Sequence, residues 1–292
     1  MKLTELLLAL ALPLAAQAGC GEVRSVDAEA GRLRYALSLP DGGASAVLML
    51  LVGGGGALDL DEAGCPRRLR GNTLVRSLPA FHAEGLATAL VDAPEGWRGD
   101  DGLGGERIFG RHARDLGRVV ADLRQRTGAA VWVVGTSRGS LSAANAAARL
   151  DGSQAPDGVV LSSVVSVGAQ SQRKPWAAHT VFDLPLEQVR APVLLIAQAE
   201  DRCVASPPEA LPRIAARLVA AVRLENVLVT GGPGRPAPGV DACEGRSPHG
   251  YLEQEAEVAA GIARFVRGQA YRADGGAAAA GRGAALTIMR TQ

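Results

Sequence analysis

The chain has 292 residues, a net charge of +1 and 47% hydrophobic residues. This length suits one large α/β domain and is too short for two domains unless both are small. A net charge so close to zero gives no electrostatic reason to expect nucleic acid or an anionic membrane surface as a partner. The composition is that of an ordinary globular protein, so the function must be sought in particular residues.

Residues 1–18 are typical of a secretory signal peptide. Lys2 precedes the apolar run from Leu6 to Leu14, and Ala16-Gln17-Ala18 fits the small-x-small cleavage pattern. The run is too short to span a membrane. We therefore expect a periplasmic or secreted protein. A lipoprotein anchored through Cys20 is the alternative, ranked second because Gln17 stands three positions before this cysteine, where an apolar residue is expected.

The first half of the mature chain is rich in strand patterns. Residues 22–26 and 32–39 are typical of an antiparallel pair, while the continuous apolar runs at 46–52 and 86–91 indicate strands that are covered on both faces. Helical spacing predicts a helix over 73–83. A second, amphipathic helix has Leu116, Val119, Val120 and Leu123 on one face.

The second half continues the alternation of strands and helices. Strands are predicted over 130–134, 158–165, 192–197 and 226–230, and helices over 140–150, 207–222 and 252–266. Such alternation predicts one doubly wound domain over residues 19–268, with a mostly parallel sheet flanked by helices. The connection between 165 and 192 is short, so any cap is small. The low-complexity Ala/Gly stretch at 275–283 predicts a disordered tail over 269–292.

A nucleophile motif lies between the strand at 130–134 and the helix at 140–150. Its residues are Gly135-Thr136-Ser137-Arg138-Gly139. In a tight strand-to-helix turn, glycines two positions either side of the serine avoid collisions, and the serine Oγ projects from the top of the sheet. A small turn residue is the structural alternative for Ser137.

A serine hydroxyl needs a base, an acid that orients the base, and donors for the developing oxyanion. Asp201 follows the strand at 192–197, and His249 stands after the last strand and before the closing helix. This chain order, serine then acid then histidine, is that of a hydrolase triad. Glu200 competes for the acid role, whereas His82, His112 and His179 do not follow the last strand.

These segments resemble the α/β-hydrolase superfamily, and within it an uncharacterised group of exported bacterial serine hydrolases. The resemblance implies the α/β-hydrolase fold and a catalytic triad of Ser137, His249 and Asp201, with no settled substrate. It is carried by Gly53-Gly54-Gly55-Gly56, Leu90-Val91-Asp92-Ala93-Pro94, Val134 to Ser140, Glu200-Asp201-Arg202-Cys203 and His249-Gly250-Tyr251.

Two backbone N–H groups are expected to form the oxyanion hole. One belongs to Arg138, at the positive end of the helix after the serine. The other belongs to Gly54 or Gly55 in the glycine run, for which a flexible turn is the structural alternative. No cofactor and no metal are expected, because the chain has no Cys-x-x-Cys, no histidine cluster and no Gly-Lys-Ser/Thr after the glycines.

Several polar residues near the ends of the predicted strands are candidates for binding an anionic substrate group. Solvated surface positions are the alternative for each arginine. The candidates are Asn72, Arg76, Arg98, Arg111, His112 and Arg138.

The four cysteines predict two disulfides in an oxidising compartment. Three pairings are open to them. We favour Cys203–Cys243, since both residues lie on loops beside the predicted site, and Cys20–Cys65 would then tether the mature N-terminus.

The function expected from these residues is that of an exported serine hydrolase that cleaves a carboxylic ester or thioester through an acyl-enzyme. The small cap and the few aromatic residues favour a short or polar ester over a lipase substrate. A serine peptidase and a non-catalytic binding module are the alternatives. The oligomeric state is left open.

Overall fold

The computed structural model describes residues 20–99, 101–168, 179–232, 239–272 and 287–289. The predicted signal peptide and the low-complexity stretch at 275–283 lie outside these residues. The strands are β1 Glu22–Ala28, β2 Gly31–Ser38, β3 Ala46–Leu51, β4 Ala87–Val91, β5 Ala130–Thr136, β6 Gly158–Ser162, β7 Val193–Gln198, β8 Leu224–Val229 and β9 Thr287–Met289. The helices are α1 Thr73–Arg76, α2 Leu78–Ala83, α3 Gly110–Thr127, α4 Arg138–Arg149, α5 Leu211–Ala215 and α6 Glu255–Val266.

The strands form one sheet in the order β1-β2-β4-β3-β5-β6-β7-β8-β9. The six strands from β4 to β8 in this order are parallel to one another, while β1, β2 and β9 pair antiparallel. The predicted doubly wound, mostly parallel sheet is therefore confirmed. The carboxyl ends of the parallel strands meet at one edge, which is where ligands bind in open α/β sheets.

Helices cover both faces of the sheet, because alternate residues of the apolar strands point to opposite sides. In β3, Val47 and Met49 belong to the core beneath α3 and α4, while Leu48 and Leu50 belong to the core beneath α2 and α6. All four side chains are fully buried. This burial on both faces explains why the strand reads as a continuous apolar run.

Two predicted helices are shorter than expected, and proline explains the break in the first and the late start of the second. The helix expected over 73–83 is divided at Ser77 into α1 and α2, since Pro79 has no N–H for an i−4 carbonyl and suits only a first turn. The helix expected over 207–222 is reduced to α5, preceded by a 3-10 turn, because Pro212 likewise restricts it to a late start.

The connection between β6 and β7 and the segment that follows α6 complete the fold. Between β6 and β7 the described residues form two 3-10 turns, Val181–Asp183 and Leu186–Gln188, and residues 169–178 lie outside the description. Tyr271, which falls in the predicted tail, is buried against Gly261 of α6. The packed domain thus extends past residue 268. Within the described ranges, no helix has the length and apolar character needed to cross a membrane.

Candidate active site

The turn between β5 and α4 holds Ser137 in a strained backbone conformation. Its φ is 52° and its ψ is −126°, values rarely adopted by a residue with a side chain. Its N–H donates to the Ser162 carbonyl at 3.0 Å. A Cβ on Gly135 would lie 2.3 Å from the carbonyl oxygen of Gly139, and a Cβ on Gly139 would lie 1.9 Å from that of Leu51. Both glycines are therefore required for this turn.

Asp201 and His249, which the sequence places in separate loops, form a buried pair. The Nδ1 atom of His249 lies 2.9 Å from Oδ2 of Asp201, and the two side chains are 4% and 0% exposed. The other carboxylate oxygen accepts the N–H of Cys203 at 2.8 Å. Glu200, the competing acid, is exposed to solvent. The pairing of the imidazole with a carboxylate directs its second nitrogen, Nε2, away from Asp201.

The Nε2 atom of His249 is buried and has no hydrogen-bond partner within the described part of the chain. An orphaned polar atom of this kind requires an explanation, because buried polar atoms are usually paired. His249 and Ser137 line the same cavity, of about 450 Å³. The cavity is lined by Gly53, Gly54, Leu69, Gly71, Asn72, Thr73, Thr136, Ser137, Cys243, Glu244, Gly245, Arg246, His249 and Gly250.

Two serines that the sequence analysis missed hold the Asp201–His249 pair. Ser206 Oγ donates to Oδ2 of Asp201 at 3.1 Å and lies 3.0 Å from Nδ1 of His249. Ser163, which follows β6 at a φ of 45°, donates from Oγ to the main-chain carbonyl of His249 at 2.8 Å. Loop serines are too common for the sequence to single these two out.

The glycine run after β3 approaches the serine through its first member, Gly53. A Cβ on Gly53 would lie 2.9 Å from Cβ of Ser137. Gly54 also lines the cavity, whereas Gly55 packs against the segment at 101–103 and its carbonyl accepts the N–H of Leu103 at 2.7 Å. The N–H of Gly55 therefore stays a predicted donor, while its carbonyl and its Cβ position are turned to the segment at 101–103. Gly53 and Gly54 are the members of the run beside the serine.

A buried arginine, Arg107, is hydrogen-bonded to the glycine run and to the residue before it. Its guanidinium donates to the carbonyls of Val52 and Gly54 at 3.2 Å each and to Ser142 Oγ at 2.8 Å. Burial, reinforced by the charge of Arg138, lowers the pKa of Arg107 to about 9. The side chain therefore remains charged at neutral pH and orients the carbonyls of the loop. No sequence pattern distinguishes it from the many surface arginines.

Arg76, a candidate for substrate binding, lies beside the cavity and bonds to the loops around it. Its guanidinium pairs with Glu255 at 2.7 Å and donates to the carbonyls of Gly245 and Gly250 at 2.7 Å each, and also to the carbonyl of Gly71. These carbonyls belong to the loops that line the cavity. Because four of its five N–H groups are used by the protein, Arg76 holds these loops together.

Arg111 and His112, two further candidates for substrate binding, line a different cavity next to α3. Arg111 pairs with Glu106 at 2.5 Å. His112 is buried, and its Nε2 lies 2.8 Å from Ser142 Oγ. Burial and the neighbouring charge of Arg107 lower the pKa of His112 to about 3, so the ring is neutral. Both residues start α3, and the helix carries them away from Ser137.

The two remaining arginine candidates also contact the protein. Arg98 donates to the Ala93 carbonyl at 3.3 Å and lies 3.6 Å from the buried carboxylate of Asp92. Burial lowers the pKa of Arg138 to about 10, and the carboxylate of Asp101 opposes this shift. Of the polar candidates from the sequence, Asn72 is the one whose side chain the structure places at the cavity with Ser137.

Two disulfides are present, Cys20–Cys65 and Cys203–Cys243. This is the pairing favoured by the positions of the loops. The second bond joins the loop that carries Asp201 to the loop that leads to His249. It therefore constrains the two halves of the buried pair relative to one another.

One group of residues has the composition of a metal site. Asp201, Cys203 and His249 offer ligand atoms within 4.8 Å of one another. The Sγ of Cys203 is bonded to Cys243, so it is not a thiolate ligand. Asp201 and His249 are hydrogen-bonded to each other. These residues therefore fit an acid–base pair better than a metal ion.

The sheet order, the serine turn and the acid and histidine loops together define the α/β-hydrolase fold. Neither a protein-family model nor a curated protein matches the chain. Solved structures do match it over most of its length. The α/β serine hydrolase without lid XC6422 from Xanthomonas campestris is 15% identical, with a TM-score of 0.53 over 88% of this chain and 97% of its own.

Two further structures give the same result. A highly thermostable carboxyl esterase from Bacillus coagulans is 14% identical, with a TM-score of 0.58 over 85% of this chain and 98% of its own. Dienelactone hydrolase from Anabaena variabilis is 18% identical, with a TM-score of 0.53 over 87% of this chain and 100% of its own. At these identities the similarity establishes the fold.

Proposed function

We propose that the protein is a serine hydrolase that cleaves a carboxylic ester or thioester through an acyl-enzyme. The observation that carries this proposal is the position of Ser137 in the same cavity as the unpaired Nε2 of His249. In the reaction His249 takes the proton of Ser137 as Oγ attacks the carbonyl carbon. Asp201 holds the imidazole with its proton on Nδ1 and stabilises the charged ring.

The remaining steps follow from the same groups. The protonated His249 returns its proton to the leaving alkoxide or thiolate, which departs and leaves the acyl group on Ser137. Water, deprotonated by His249, then attacks this ester, and Ser137 recovers its proton as the acid is released. The N–H of Arg138 at the start of α4 and an N–H of Gly53 or Gly54 are the proposed main-chain donors to the oxyanion.

The arrangement of the glycine loop supports these donors. The carbonyls of Val52 and Gly54 accept from Arg107, and that of Gly53 accepts the N–H of Gly56 at 3.2 Å. Because the carbonyls are held by the protein, the oxyanion does not face a rotating peptide group. Donors fixed in advance need no reorganisation during the reaction, which is the main source of their effect on the rate.

The preference of the enzyme for charged or neutral substrates is expected to depend on two exposed residues at the cavity, Glu244 and Arg246. The Nε of Arg246 lies 3.8 Å from a Cβ built on Gly71, and no carboxylate of the described residues forms an ion pair with it. We expect Arg246→Gln to lower kcat/KM about threefold to fivefold for a succinate monoester relative to a neutral butyrate ester, as loss of an exposed charge pair would.

The matched control for this prediction is Glu244→Gln, two residues away on the same loop. Removal of its negative charge should change the ratio of kcat/KM in the opposite direction, in favour of the succinate monoester. Both ratios should approach that of the wild type at high salt. Equal ratios for the three proteins at low salt would show that these charges do not select the substrate.

We also propose that the protein is exported and not lipid-anchored. Two disulfides in a chain of this size are typical of an oxidising compartment. The sulfur of Cys20 is bonded to Cys65, whereas a lipoprotein needs this atom for its lipid. Residues 1–18, the proposed signal, lie outside the described residues.

The proposed serine hydrolase function is tested by labelling the protein, with both disulfides intact, with a fluorophosphonate and then mapping the labelled peptide. We expect a single adduct on Ser137, because only an activated serine displaces fluoride rapidly. A folded protein that is not labelled would favour the non-catalytic binding module. If labelling occurs, parallel panels of esters, thioesters and peptides separate the esterase from the serine peptidase.

A further inference from the structure

The side chain of Asn72 stands at the wall of the cavity and caps α1. Its Oδ1 accepts the N–H of Leu74 at 3.0 Å. A side-chain amide has an acceptor at one end and a donor at the other. Since the acceptor is used by the helix, the donor end, Nδ2, is directed away from α1.

The donor end faces the nucleophile across Gly53. A Cβ built on Gly53 would lie 3.5 Å from Nδ2 of Asn72 and 2.9 Å from Cβ of Ser137. One point beside the glycine loop is thus close to both side chains. The same point lies 3.2 Å from the Thr136 carbonyl oxygen, so only a glycine lets the loop pack this closely against Ser137. The close packing places the Asn72 amide and Ser137 on the wall of the same cavity.

We propose that Nδ2 of Asn72 is a side-chain donor of the oxyanion hole, in addition to the main-chain donors. This inference rests on the proposed serine hydrolase function. When Ser137 attacks, the carbonyl oxygen of the substrate becomes negative, and a donor aimed at that oxygen binds it more tightly than it binds the neutral carbonyl. Asn72 is then a catalytic residue, and the cap on α1 is what fixes the orientation of its amide.

A role limited to capping makes a different prediction, and three variants separate the two. Asn72→Ser and Asn72→Asp keep an acceptor for the N–H of Leu74, because serine and aspartate are good N-cap residues, but they remove the Nδ2 donor. Asn72→Ala removes both functions. Asn72→Ser is neutral, so it controls for the charge that Asn72→Asp introduces near the oxyanion.

We expect all three variants to lower kcat, with Asn72→Ser reducing it by about 10²- to 10³-fold and KM changing little, as for loss of one oxyanion donor. The thermal midpoint should fall only in Asn72→Ala. A trifluoromethyl ketone, whose adduct with a serine carries an oxyanion, should bind Asn72→Ser about 10²-fold more weakly than the wild type.

If Asn72→Ser and Asn72→Asp keep kcat within threefold of the wild type, or if kcat falls only in parallel with the thermal midpoint, the inference is wrong. Circular dichroism establishes whether each variant is folded. If Asn72→Asp does not fold, the result with Asn72→Ser decides between the two roles. Failure of the proposed function is distinguished by the wild type, which would then neither hydrolyse the ester nor react with a fluorophosphonate at Ser137.

Discussion

Replacement of Ser137 by alanine is expected to lower kcat for ester hydrolysis by about 10⁵- to 10⁶-fold, as loss of a triad nucleophile does. The fold should be retained, because the contact that holds the turn is the main-chain N–H of Ser137 to the Ser162 carbonyl. Alanine keeps this donor. Initial rates with a chromogenic ester, together with circular dichroism and a thermal midpoint, measure both parts of the prediction.

A double variant shows whether Ser137 and His249 act as one unit. We expect His249→Ala to lower kcat nearly as much as Ser137→Ala, and the double variant to lower it no further, since without Ser137 there is no hydroxyl proton for His249 to take. Independent losses that multiply in the double variant would contradict the proposed mechanism. So would a Ser137→Ala variant that keeps more than about a hundredth of the wild-type rate.

Removal of the Cys203–Cys243 disulfide is expected to reduce both stability and activity. With both cysteines replaced by alanine, the free energy of unfolding should fall by about 4 kcal/mol, from the chain entropy of a cross-link between residues 40 positions apart. The activity of each folded molecule should fall by about 10- to 100-fold, because small displacements of catalytic groups have effects of this size.

The effect on activity follows from the contacts of the bonded loop. The N–H of Cys203 donates to Asp201, and Ser206 on the same loop contacts both Asp201 and His249. Without the bond to Cys243, this loop and the loop before His249 are no longer held to each other. The Asp201–His249 pair then loses its fixed geometry.

The Cys20–Cys65 disulfide provides a matched control. Its cysteines are 45 positions apart, so its loss should lower the free energy of unfolding by a similar amount, about 4 kcal/mol. It lies at the N-terminal end of the domain, and its removal should leave the activity of each folded molecule unchanged. Urea unfolding and rates normalised to titrated active sites provide the comparison. Equal losses of activity in the two double variants would refute a specific role for Cys203–Cys243.

Much of the fold could be predicted from local patterns. The continuous apolar runs at β3 and β4 indicated strands covered on both faces, and they are buried on both faces. The helices at 73–83 and 207–222 were predicted too long. The missing N–H groups of Pro79 and Pro212 account for the break in the first and the late start of the second. The order of strands in the sheet depends on pairing between distant segments, which spacing alone does not specify.

The amino-acid sequence by itself determined the strand–turn–helix at Ser137 and the chain order in which Asp201 and His249 follow. The strand–turn–helix depends on residues a few positions apart, whose backbone conformations are set by glycine, by β-branched runs and by helix formers. Whether a polar side chain serves the protein or the cavity was decided only by the tertiary structure. For Arg76 the sequence left open substrate binding or a solvated surface position, and the structure shows an ion pair with Glu255, 179 residues away. Such hydrogen bonds form between segments that only packing brings together, so the same residue types carry no local signal of their roles.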